Sequence, residues 1–322
     1  MTKKVSVELM KVSGKLMRKL LIFALIFLLV FVIVEVSLRK LFGFGEMSIL
    51  FQQDAAFEYI AKPNQNKVRF GNKVVYNEYS MRSLPLTDKK ECIILGFGDS
   101  VINGGTLVDQ DSLATTITEN QLQNRIGNGI RFLNISAPSW GPDNCAAYLN
   151  KYGSFNAKML VLFVSSHDAH DNMTFEKVVG IHESYPEQAY PLAVLEVIGR
   201  YIKPRVMNVI NKKKTDDLMI NKEGIQFNSG FDFFKNFAEK NSIPLLVCLH
   251  AERVEVEAGK FNSEGEEILN YCAKNNIPVI SGLQIGENIG DFVDHIHINE
   301  KGQARWAKAW YQQISESVKS CQ

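Results

Sequence analysis

The hydrophobic pattern divides the chain near residue 90. Before it, one long run stands out: Leu20–Val34 (LLIFALIFLLVFVIV) is uncharged and apolar, and it continues to Leu38 across a single Glu35. No polar face interrupts it, unlike the stripe expected of a helix lying on a soluble core. After it, short apolar runs ended by glycine or polar clusters alternate with stretches of helical spacing. The runs Cys92–Leu95, Ile130–Ile135, Met159–Val164, Pro244–Leu249 and Pro278–Ile280 predict strands. Met159–Val164 (MLVLFV) has no polar alternation, as expected of a sheet covered on both faces. Helices are predicted around Ser112–Gln123 (capped by Asp111 or Ser112), Asp143–Tyr152, Pro186–Asn208, Phe231–Lys240, Glu264–Lys274 and Glu300–Val318. Strands alternating with helices imply an α/β fold with a parallel sheet and right-handed crossovers.

The region between the long run and the first strand reads differently. Gly43–Phe57 reads as a juxtamembrane linker. Lys67-Val-Arg-Phe and Lys73-Val-Val-Tyr, separated by Gly71-Asn72, predict a small hairpin. The organisation expected is a basic tail (1–19), a transmembrane anchor (20–38), a linker with a small β lead-in (39–90) and the α/β unit (91–322), with a helical insertion over about 173–227. Lys212–Lys214 reads as a solvated surface turn.

At about 1.5 Å per residue, Leu20–Leu38 nearly matches the ~30 Å hydrocarbon core of a bilayer. A cleavable signal peptide would have a shorter apolar region and a small-residue cleavage site. Here the run is followed by Glu35, Val36, Ser37, Leu38, Arg39 and Lys40, which favours an uncleaved anchor. Lys3, Lys4, Lys11, Lys15, Arg18 and Lys19 precede it, and only Arg39 and Lys40 follow closely. The positive-inside rule then places the amino terminus in the cytoplasm and the rest outside, in the periplasm or on the outer face.

Composition adds mainly exclusions. With 46% hydrophobic and 22% charged residues, the 322-residue chain has a globular make-up, and a formal net charge of +1 provides no general field for nucleic acid. The five cysteines (Cys92, Cys145, Cys248, Cys272, Cys321) form neither a metal knuckle nor a disulfide framework. Cys92 and Cys248 lie in strand-like runs and are expected to be small core residues. A Cys145–Cys272 or similar bridge is an open alternative.

Candidate chemistry gathers where strands end. Gly98-Asp99-Ser100 follows the first strand, Asn134-Ile-Ser-Ala-Pro-Ser-Trp-Gly-Pro-Asp-Asn144 the second, Ser165-Ser-His-Asp-Ala-His-Asp171 the third, and Asp294-His-Ile-His297 precedes the last helix. Loops at the carboxyl ends of parallel strands form the ligand crevice of such sheets. A serine hydroxyl is a weak nucleophile until a base, usually histidine held by a carboxylate, takes its proton. Three positions apart in a turn, Asp294 and His297 would face the same side.

Together these segments resemble the SGNH (GDSL-type) hydrolase and acyltransferase superfamily over roughly Cys92–Tyr311. Gly98-Asp99-Ser100 looks like its first block, with Ser100 as nucleophile. Asp294-x-x-His297 looks like its last, with His297 as base and Asp294 as orienter. Tyr59–Arg82, ending Asn77-Glu-Tyr-Ser-Met-Arg82, also resembles the lead-in of many bacterial members. The resemblance implies a three-layer α/β/α sandwich, an oxyanion hole and no cofactor. Two positions depart from the pattern. The glycine of the second block is replaced by Ser139, with Gly141 two residues on, and the Gly-x-Asn-Asp of the third block reads Ser165-Ser-His167-Asp168. The expected oxyanion donors are therefore the N–H groups of Ser100 and of the Ser139–Gly141 loop, with His167 in place of the asparagine. Asp99 and Asp168 are expected in supporting roles. His167, Asp168, His170 and Asp171 also invite a metal reading, but the spacing matches no strong zinc signature, and no metal is assigned. Trp140 is open to either sugar stacking or packing, and His182, His250 and His295 receive no role.

The resemblance and the anchor together imply a membrane-tethered serine esterase or O-acyltransferase. Its expected substrate is an acylated carbohydrate, most simply an O-acetylated cell-surface or exported polysaccharide, with envelope polysaccharide machinery as a partner. The alternative is a non-catalytic module of the same fold that binds carbohydrate.

Overall fold

The computed structural model describes residues 2–87, 92–127, 129–211, 222 and 224–318. Glu91, the Lys212–Lys214 turn and Cys321 lie outside the described residues. The chain opens with α1 (Thr2–Phe42), whose segment Lys15–Phe42 is long and apolar enough, by length and composition, to cross a membrane. Two small antiparallel hairpins follow. The first is β1 (Phe51–Asp54) with β2 (Glu58–Ala61), and the second is β3 (Gln65–Arg69) with β4 (Asn72–Tyr76). The second is the expected hairpin, but it turns one residue earlier than Gly71-Asn72, on Phe70 and Gly71 at positive φ, with Asn72 already in β4. The first was not foreseen: β1 forms inside the stretch read as a linker, because Phe51 and Phe57 are buried in the main core.

The main sheet has five parallel strands: β5 (Cys92–Gly98), β6 (Ile130–Ser136), β7 (Met159–Ser165), β8 (Leu245–His250) and β9 (Val279–Ser281). Their spatial order is β6-β5-β7-β8-β9, so β5 sits where the winding of the sheet reverses. That reversal opens a crevice at the carboxyl ends of the strands, where ligands bind in doubly wound folds. The first four of these strands are buried along their whole length.

Helices cover both faces. Between β5 and β6 come α2 (Ser100–Asn103) and α3 (Ala114–Ile126), and α4 (Pro142–Tyr152) follows β6. The insertion contributes α5 (Ala193–Glu196), a π-helical segment (Val197–Ile202) and α6 (Lys203–Asn211). Then come α7 (Gly230–Asn241), α8 (Arg253–Ala258), α9 (Ser263–Lys274) and α10 (Glu300–Ile314). One face packs Leu122 of α3 with Trp306 and Trp310 of α10 against Phe132, Phe163 and Cys248. The other packs α4, α7 and α9, through Leu149, Phe234 and Ile268, with Phe57, Tyr59 and Tyr76 of the hairpins. The result is a three-layer α/β/α sandwich.

Four local expectations change. The helix predicted from Ser112 starts at Ala114 after a 3-10 turn, and Asp109 rather than Asp111 accepts the capping bond, from the Asp111 N–H. The helix predicted over Pro186–Asn208 begins only at Ala193, since Pro186 and Pro191 keep the preceding segment out of helical geometry. The last helix ends at Ile314 rather than Val318. Cys92 is buried in the core as expected but is also disulfide-bonded, whereas Cys145, Cys248 and Cys272 are buried free thiols, so Cys145 and Cys272 are not bridged.

Candidate active site

The site is built at the end of β5. Gly98 is the last residue of that strand, and a side-chain carbon there would lie 2.6 Å from the Phe163 carbonyl oxygen of β7, so only glycine fits. The chain then turns into the single turn of α2. Asp99 caps it, its Oδ1 accepting from the Val101 N–H at 2.8 Å. Gly104 ends the turn in the left-handed conformation (φ 69°). Ser100, first in the turn, keeps its side chain toward the crevice.

The second half of the site comes from the connection before α10. Asp294 Oδ1 accepts the backbone N–H groups of Ile296 (2.9 Å) and His297 (2.7 Å), closing a tight turn. Phe292 and Ile298 pair across it, and Asn299 caps α10 by accepting from Lys301 and Gly302. This turn presents His297 to the end of β5. His297 Nε2 lies 2.9 Å from Ser100 Oγ, across 197 residues of sequence, and its Nδ1 lies 2.7 Å from Asp294 Oδ2. With Nδ1–H donated to the carboxylate, Nε2 is left to accept the serine proton. Burial raises the Asp294 pKa, but the His297 bond and the two backbone N–H groups outweigh it and hold the carboxyl well below the usual range. Asp294 therefore stays ionised opposite any imidazolium that forms. The arrangement can move the hydroxyl proton onto His297 as Ser100 attacks an electrophilic carbon.

The oxyanion donors expected from the sequence fare unequally. Ser139 has φ 56°, in the left-handed region that favours glycine, as suits a position where a glycine was expected. Its loop is held from below: the Tyr59 and Tyr185 hydroxyls donate to the Pro138 carbonyl at 2.9 and 3.2 Å. Among the described residues the backbone N–H groups of Ser100 and Ser139 have no acceptor. Gly141 is a correction. Its N–H donates to Asn144 Oδ1 at 2.9 Å as part of the cap of α4, and so is already committed. Gly141 is instead required for packing, since a side-chain carbon there would lie 2.2 Å from the Asp171 carbonyl oxygen. Trp140 is buried with its Nε1–H donated to the Tyr59 carbonyl, so it packs and offers no sugar platform.

His167 sits in a cluster of acids. Its Nδ1 bonds Glu252 Oε1 at 3.0 Å, and its Nε2 lies 3.9 Å from Asp171 Oδ2, beyond hydrogen-bond reach. Burial works against its charged form, but Asp168, Glu252, Asp171 and Asp99 raise its pKa to about 10. The bond to His167 lowers Glu252 correspondingly. One ring N–H of His167 is left uncommitted by these bonds, and the acids around it favour its charged form, which would donate more strongly than the amide it replaces. Asp168 is buried, its Oδ2 accepting the Ser165 N–H at 2.7 Å, and burial pushes its carboxyl well above the usual range. Asp99, His167 and Asp168 each bring one ligand-type atom to within 4.8 Å of the others. His170 turns aside to Glu267 Oε2 at 2.8 Å, so His167, Asp168, His170 and Asp171 do not converge on one point.

Sequence reasoning missed several supports. His250, at the end of β8, bonds Glu287 Oε1 through Nδ1 (2.7 Å) and the Ile296 carbonyl through Nε2 (2.8 Å), bracing the turn that carries His297. Trp306 Nε1–H also donates to Glu287 Oε1 at 2.6 Å. The one available signal was that His250 directly follows a predicted strand, at its carboxyl end. Glu252 and Glu287 carried no sequence signal.

No protein-family pattern matches this chain, and no curated protein matches it. Among solved structures, it is similar to a lipase/acylhydrolase from Enterococcus faecalis at 13% identity, covering 70% of this chain and 96% of that one, with a TM-score of 0.43. A structure of TesA shares 12% identity, covering 70% and 99%, with a TM-score of 0.43. A two-domain esterase (CEX) active on acetylated mannans shares 13%, covering 71% of this chain and 50% of that one, with a TM-score of 0.41. Likenesses this distant establish neither family nor activity, so the chemical reading rests on the Ser100–His297–Asp294 geometry.

Proposed function

We propose that the chain is a membrane-anchored serine esterase or O-acyltransferase acting on ester groups, most simply O-acetyl groups, of an extracytoplasmic polysaccharide. The observation that carries this reading is the unbroken line of hydrogen bonds from Ser100 Oγ through His297 to Asp294. Ser100 Oγ attacks the acyl carbonyl while His297 Nε2 takes its proton. The Ser100 and Ser139 N–H groups, with the free N–H of His167, hold the negative oxygen. Collapse expels the carbohydrate alcohol, which receives the proton from His297, and leaves an acyl-serine. Water then releases the acid, or a second hydroxyl carries the acyl group away.

Anchoring through α1, amino terminus inside, is supported by the length and apolarity of Lys15–Phe42 and by the lysines and arginines that precede the apolar run. The disulfide at Cys92 fits an oxidising compartment. The test uses the full chain in detergent, with a fluorophosphonate probe, 4-nitrophenyl acetate and isolated O-acetylated envelope glycan. Labelling, turnover and acetyl release are expected in wild type. Ser100→Ala should abolish labelling and lower kcat by at least ~10³-fold. Wild type indistinguishable from Ser100→Ala would overturn the reading in favour of a binding module.

A further inference from the structure

The insertion helix running from Ala193 to Asn211 presents an apolar stripe that is exposed among the described residues. Leu195, Ile198, Ile202, Val206 and Ile210 recur three or four residues apart, which puts them on one face. All five are exposed, Ile210 to 66%. Lys203 and Arg205, also exposed, fall on opposite flanks of that stripe by helical spacing.

The opposite face is fixed in place. Glu196, wholly buried, accepts from Arg69 (2.6 Å), Arg200 (3.0 Å) and the Gly45 N–H (2.6 Å). These partners prevent the helix from rolling to bury its stripe. Its start is bound to α1: Glu35 accepts the N–H groups of Ala193 (2.8 Å) and Val194 (3.0 Å), and Arg39 donates to the Pro191 carbonyl (2.7 Å). At about 1.5 Å per residue, a ~30 Å hydrocarbon core entered at Leu20 is left near Lys40, so Glu35 lies in the outer leaflet within about two turns of the boundary.

We infer that the helix from Ala193 to Asn211 is an interfacial membrane helix, its Leu195–Ile210 stripe set into the outer leaflet with Lys203 and Arg205 at the phosphate level. This rests on the anchor reading of α1. An apolar stripe bordered by cations and starting at the exit of a spanning helix has the form of a segment lying in the headgroup region. The crevice is thereby held at a fixed height over the bilayer instead of swinging on a tether. The same insertion reaches the site through Tyr185, whose hydroxyl bonds the Pro138 carbonyl and Ser139 Oγ.

Tryptophan depth measurements test this. The native tryptophans Trp140, Trp306 and Trp310 are buried and provide a constant background. Phe27→Trp, Ile202→Trp, Val206→Trp and Lys274→Trp are made singly in the full chain. Each is reconstituted in phosphatidylethanolamine–phosphatidylglycerol vesicles brominated near the headgroups or near the bilayer centre. The expected result is quenching of F27W by deep bromines, of I202W and V206W by shallow bromines with blue-shifted emission, and of K274W by neither. Quenched F27W with unquenched I202W and V206W overturns the interfacial helix while anchoring stands. Unquenched F27W overturns anchoring and the inference with it. Equal quenching of K274W and I202W overturns the assignment of this face.

Discussion

His250 Nε2 donates to the Ile296 carbonyl at 2.8 Å, so the turn that presents His297 is fastened to the end of β8. The other ring nitrogen faces Glu287 Oε1 at 2.7 Å, so both nitrogens meet acceptors and both must carry a proton. Burial opposes that charge, but Glu287 and the Ile296 carbonyl together raise the pKa. His250→Phe strands the buried Glu287 carboxylate and frees the turn. Urea unfolding should show a loss of ~3–5 kcal/mol, the range for breaking a buried charge pair. A loss under ~1 kcal/mol would remove the bracing role.

The charge on His167 gives a pH signature. Its folded pKa, about 10, is raised above the ~6.5 of an unfolded chain. The stability it contributes is complete below ~6.5 and disappears as pH rises through about 10. The difference in unfolding midpoint between wild type and His167→Gln should therefore shrink across that window. A constant difference would mean that His167 is not charged in the fold.

The same residue makes a kinetic prediction. His167→Ala should lower kcat toward 4-nitrophenyl acetate by ~10²–10³-fold, the usual cost of one oxyanion donor. His167→Asn, restoring an amide, should recover a substantial part of that loss. Equal activity of His167→Ala and wild type would remove His167 from the oxyanion site.

Ser139 lies at φ 56°, a region that costs a non-glycine residue ~1 kcal/mol or more. Ser139→Gly removes that strain and loses only a 3.3 Å contact with the Tyr185 hydroxyl. It should leave kcat unchanged, because the backbone N–H is retained, and leave Tm unchanged or slightly raised. Ser139→Val, β-branched at positive φ, should lower both. A large loss of activity in the glycine variant would show that the side chain, not the backbone, acts.

Glu196→Gln tests the joint between the insertion and the second hairpin. It leaves Arg69 buried without its carboxylate, and a loss of ~3–5 kcal/mol in urea unfolding is expected. Increased proteolysis between residues 185 and 211 should accompany it. Unchanged stability and cleavage would show that the joint is held elsewhere.

The strands, their alternation with helices and the apolar leading helix were legible in the sequence, because burial on both faces, or an apolar run with no polar face, leaves an unmistakable composition there. Ser100, His297 and Asp294 were legible too, since they sit in short segments of distinctive type at strand ends. Their contact was expected only through the family resemblance: 197 residues separate serine from histidine, and the β6-β5-β7-β8-β9 winding closes that gap. Gly141 shows the limit of pattern reading. Its N–H is taken by Asn144, a local capping bond that no spacing announces. Buried partners such as Glu252, Glu287 and Glu196 are ordinary acids in sequence, and their roles depend on what packs against them. The sequence by itself determined the layers and the reactive residue types, because hydrophobic periodicity and turn chemistry are local. The tertiary structure alone decided which nitrogen faces which oxygen, because that depends on chain segments meeting from opposite ends of the molecule.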